Sequence, residues 1–164
     1  MFDVKSIMFL FGLFSAFTGL LFVYYLVANK KFDWHLISFT ISKFLQTFAV
    51  IGLALVTAYL DIVLLHISMS FLVLGYSLEA FNLATFDKVY SKYFVWGMVI
   101  PPALVVLLNL IFYQIPYYHL AQFTHSVASY SFGLAAINLF TKRKKSRFAL
   151  LVSISYMFFS LTWA

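Results

Sequence analysis

Lys43 and Glu79 are charged side chains set inside long apolar runs, and opposite charges in such places can pair, hold an ion or pass a proton. Asp61 lies between them, 18 residues from each. If both runs are helical and antiparallel about a turn at Asp61, the two charges come to the same depth. A lone Lys or Glu in a membrane helix costs roughly 2.5–3.5 kcal/mol on insertion scales, so two opposite charges at one depth are expected to pair. Such a pair is either a packing clamp or the centre of a ligand, ion or proton site. On helical spacing Lys43 shares a face with Thr40, Gln46 or Thr47, Ala54 and Thr57, and Glu79 with Ser68, Gly75 and Asn82. Small and hydroxylated residues of this kind favour close helix contact in lipid.

Further polar groups fall later in the chain. Gln122, His125 and Ser129 share a helical stripe, and Asn109 lies at roughly the depth of Gln122 across the turn at Pro116. These form a candidate hydrogen-bonded network or small-molecule pocket, or else interhelical bonds worth on average about 0.6 kcal/mol each. Pro101 and Pro102 are expected to kink their helix and leave the carbonyls of Gly97 and Met98 seeking partners. His66, five residues past Asp61, is expected near the outer surface, hydrated or sensing pH.

Other chemistry lacks its residues. His119 and His125 are six apart, off a common helix face and without a nearby carboxylate, so no metal site is expected. The chain has no cysteine, which excludes disulfides and thiolate ligands. Its serines come with no nucleophile elbow, and no glycine-rich phosphate loop is present. The expectation is a protein that is not an enzyme and holds no cofactor.

The elements that position these residues follow from composition. The sequence is 64% hydrophobic and 10% charged, with a mean hydropathy of +0.98, which marks an integral membrane protein. Six apolar runs, 7–28, 36–60, 62–86, 94–113, 117–140 and 148–164, are predicted as transmembrane helices of one all-α, multi-pass domain built around the antiparallel hairpin of the second and third. No period-2 alternation points to a β-barrel. On the first helix Gly12, Ser15 and Gly19 share a face suited to packing. The first run is too long for a signal-peptide core and should be retained.

Ten of the eleven basic residues fall on one side if the N-terminus is outside: Lys30, Lys31, Lys43, Lys88, Lys92, Lys142, Arg143, Lys144, Lys145 and Arg147, with Lys5 opposite. The positive-inside rule then places the odd-numbered turns in the cytoplasm. The net charge of +6 reads as this leaflet bias rather than nucleic-acid binding, with Lys142 to Arg147 as a membrane-surface basic anchor.

The order of features resembles the N-terminal membrane region of bacterial signalling proteins, the seven-helix modules that precede diguanylate cyclase or histidine kinase domains. The similar elements are an outside N-terminus, Trp34 before the second helix, a tight outer turn, Gly75-Tyr76-Ser77-Leu78-Glu79-Ala80 late in the third helix, and the basic turn between the fifth and sixth. The resemblance spans nearly the whole chain through loose motifs. It implies a seventh helix and a cytosolic output domain following these 164 residues, and a location in the bacterial inner membrane. The function expected from it is a sensory and anchoring module that relays a ligand or membrane signal through helix repacking. Its partners would be the lipid bilayer, a small-molecule ligand and a second copy in a homodimer. A small transporter or channel subunit, or a non-catalytic assembly subunit, are the alternatives.

Overall fold

The computed structural model describes residues 4–30, 33–59, 62–85, 91–111 and 117–141, with 151, 154–155 and 157–158 beyond them. The described residues form five α-helices: α1 (Val4–Asn29), α2 (Trp34–Tyr59), α3 (Ile62–Thr85), α4 (Lys92–Ile111) and α5 (Tyr117–Thr141). Of the sixth run only residues 151, 154–155 and 157–158 are described, and they are helical. Asp61 and the basic stretch Lys142, Arg143, Lys144, Lys145 and Arg147 lie outside the described residues.

Four helices contain segments long and apolar enough to cross a membrane: Phe9–Asn29, Trp34–Val56, Ile62–Thr85 and Lys92–Ile111. α5 is not among them; it carries Gln122, Thr124, His125, Ser126, Ser129 and Ser131.

Two helices begin earlier than hydropathy indicates, because polar caps precede the apolar runs. Asp33 Oδ1 accepts the backbone N–H of His35 at 2.9 Å, and the Asp33 carbonyl accepts that of Ile37 at 2.9 Å, so α2 starts at Trp34 rather than Leu36. Ser91 Oγ accepts the Phe94 N–H at 3.2 Å and starts α4 at Lys92. α1 ends at Asn29 and is followed by Lys30, whose φ of 48° lies in the left-handed region that terminates helices. α4 runs as one helix through Pro101 and Pro102, with Pro102 buried.

α3 is the hub, packing against α2, α4 and α5, while α1 packs on α2 and α4 on α5. Its spanning window is 56% buried, against 17% for α1, whose Phe9, Phe11, Phe14 and Phe17 point outward. The core joins Ala49 and Leu53 of α2 to Leu72, Tyr76 and Ala80 of α3, Phe94 and Met98 of α4, and Ala128, Phe132 and Ala135 of α5. Small residues set the approach distances. A Cβ on Gly75 would stand 2.9 Å from Gln46 Cγ and 3.1 Å from the Ser42 carbonyl, and one on Gly52 would collide with Ser68. α2 and α3 therefore cross in close contact at two levels. Gly12 and Gly19, both buried, face Val50 and Phe44 of α2.

Candidate functional site

Lys43 sits on α2 and Glu79 on α3, and Lys43 Nζ lies 2.8 Å from Glu79 Oε2. The side chains are 15% and 16% exposed, enough burial that neither charge is fully hydrated. Gln46, one turn along α2 from Lys43 and 1% exposed, donates from Nε2 to the same Glu79 oxygen at 2.6 Å. Its Oε1 accepts from Lys43 Nζ at 3.4 Å. Gly75 explains the geometry, since it lies one turn before Glu79 and its bare Cα leaves room for the Gln46 stem. The Lys43 ammonium also stands over the Phe39 ring, 5.2 Å from its centroid.

One turn further toward the start of α2, Asn82 Nδ2 donates to Ser38 Oγ at 2.9 Å. Together they make a clasp of three side-chain hydrogen bonds between α2 and α3, with the Lys43–Gln46 bond inside α2 bracing it. Its neighbour is an open pocket of about 170 Å³ lined by Phe22 of α1, His35, Leu36 and Phe39 of α2, Asn82 and Leu83 of α3, and Asp33, which precedes α2.

Asn109 is buried and donates to Ser70 Oγ of α3 at 3.2 Å, and Ser70 in turn donates to the His66 carbonyl at 2.8 Å. Burial increases along the α5 stripe, from exposed Gln122 through half-buried His125 to buried Ser129, as the helix enters the bundle. His66 is 4% exposed rather than hydrated, with Nδ1 2.8 Å from the Ile62 carbonyl, because it lies on the buried stripe of α3 with Leu65 and Met69. Among the described residues, no group of three His, Cys, Asp or Glu is placed to hold a metal ion.

Contacts between α3 and α5 have no counterpart in the sequence reading. Ser77 and Ser131 hydroxyls are 3.0 Å apart, and Asn138 Nδ2 donates to the Ala84 carbonyl at 3.1 Å. The matched seven-residue steps Ser77 to Ala84 and Ser131 to Asn138 were the available signal.

The fold and composition thus define an α-helical membrane protein in which several buried polar side chains bond across helix interfaces. No family model, curated protein or solved structure matches the chain.

Proposed function

We propose that the chain is a membrane-embedded sensory and anchoring module of a bacterial signal-transduction protein. It has six membrane helices, an outside N-terminus, and a seventh helix and cytosolic output domain following residue 164. The observation that carries this reading is the clasp of Lys43, Gln46 and Glu79 beside a pocket shared by three helices. A charged joint of this kind has a preferred packing and a strained alternative, because parting the helices leaves charges in an apolar setting. A ligand or bilayer change that contacts the two packings differently shifts their populations, and the helix ends carry the shift onward.

The intact mass of the native product, purified from its own membrane, tests the proposal. A mass well above 18.9 kDa, with an output domain in the added sequence, is the expected result. A product of 18.9 kDa contradicts it.

A further inference from the structure

The pocket beside the clasp has a size and lining that select a ligand. Its volume of about 170 Å³ is close to that of an apolar cavity of about 150 Å³ that holds one benzene. Phe22 and Phe39 meet edge to face in its wall, with ring centroids 5.0 Å apart and planes at 77°. Leu36 and Leu83 complete an apolar surface that accepts a third ring. The polar members of the lining are Asp33, His35 and Asn82, and Asp33 is the one acid among them. The Asp33 carboxyl group is held in place in the lining by the His35 N–H it caps. Lys43, whose ammonium stands over the Phe39 wall of the pocket, is already engaged by Glu79.

We propose that this pocket binds a small amphiphile made of one aromatic ring and a cationic head, the ring between Phe22, Phe39 and Leu83 and the head at Asp33. The bound ring touches both halves of the clasp. Phe39 lies under the Lys43 ammonium, and Asn82 makes the bond to Ser38. Occupancy therefore bears on how α2 and α3 pack. That consequence rests on the sensory reading above, whereas binding itself does not.

The absence of cysteine from the sequence gives a direct test. Leu83→Cys in the full chain, reconstituted in lipid nanodiscs, is reacted with benzyl methanethiosulfonate. The thiolate attacks the sulfenyl sulfur, forms a mixed disulfide and expels methanesulfinate. The expected labelling rate saturates with reagent concentration and exceeds by about tenfold, the equivalent of roughly 1.4 kcal/mol, the rate at Phe14→Cys on the outward face of α1. Benzylamine protects Leu83→Cys, and Asp33→Asn, which keeps a capping side chain, weakens that protection at least threefold. Leu36→Phe plugs the pocket and abolishes saturation. Phe22→Cys replaces Leu83→Cys if the latter does not fold. A rate that rises linearly with reagent, saturation that survives the plug, equal saturation with n-hexyl methanethiosulfonate, or protection indifferent to Asp33→Asn overturns the proposal. Because the readout is binding, it is independent of the native mass that tests the signalling role.

Discussion

Ser77 and Ser131 hold their hydroxyls 3.0 Å apart across α3 and α5, and seven residues further along both helices Asn138 bonds the Ala84 carbonyl. The common offset means that α3 and α5 run parallel in register. Seven residues back, the same register brings Thr124 opposite Ser70.

Thr124 departs from the other threonines whose side chains are described. Thr18, Thr40, Thr47, Thr85 and Thr141 each donate to the carbonyl four residues earlier. Thr124 Oγ1 is fully buried and, among the described residues, has no partner. A buried hydroxyl without a partner costs about 1–3 kcal/mol. Thr124→Val keeps the shape and removes that cost, so it is expected to raise the unfolding midpoint in a thermal melt by the equivalent of about 1 kcal/mol. Ser131→Ala is expected to lower it by about 0.6 kcal/mol, the mean for an interhelical bond in lipid.

Glycines on two helices separate tight from loose contact. Gly75→Ala puts a Cβ within 3.2 Å of the Gln46 and Ser42 backbone, which cannot move aside as a side-chain tip can. It is expected to destabilise by about 1–3 kcal/mol, as overpacking does. Gly12→Ala meets Val50 at an ordinary 3.6 Å and is expected to stay within about 0.5 kcal/mol of the parent. Denaturant unfolding of the two variants in one detergent checks the contrast.

At the start of α2, Asp33→Ala removes the acceptor for the His35 N–H. A loss of about 1 kcal/mol is expected, with Asp33→Asn close to the parent. Hydrogen exchange at the first turn of α2 reads the difference.

The features legible in the sequence are those made by neighbouring segments. Helical class and the apolar runs follow from composition, and four helices have the length and apolarity to cross a membrane. The hairpin register is written in the equal spacing of Lys43 and Glu79 about Asp61. What hydropathy missed lies where apolar runs end or where distant helices meet. Asp33 and Ser91 are polar residues just outside the runs, so their capping moved two helix starts. Gln46 shares the Lys43 face in the sequence, but its bond to Glu79 depends on the close crossing at Gly75. Asn109 bonds Ser70 of α3, the helix at the centre of the bundle, a contact between distant segments that hydropathy does not show. The pocket joins the ends of three helices and has no local pattern at all.

Signal relay by helix repacking requires Lys43 and Glu79 to act as one unit in the α2–α3 joint. A double-mutant cycle of Lys43→Met and Glu79→Gln, followed by unfolding free energy in a fixed lipid or detergent, measures this most directly. Lys43→Met alone should cost about 2 kcal/mol, moderated by the Gln46 bond that Glu79 keeps. Adding Glu79→Gln should recover at least about 1 kcal/mol of that loss. Losses that add to within about 0.5 kcal/mol would mean the two charges do not act together, and would contradict the account.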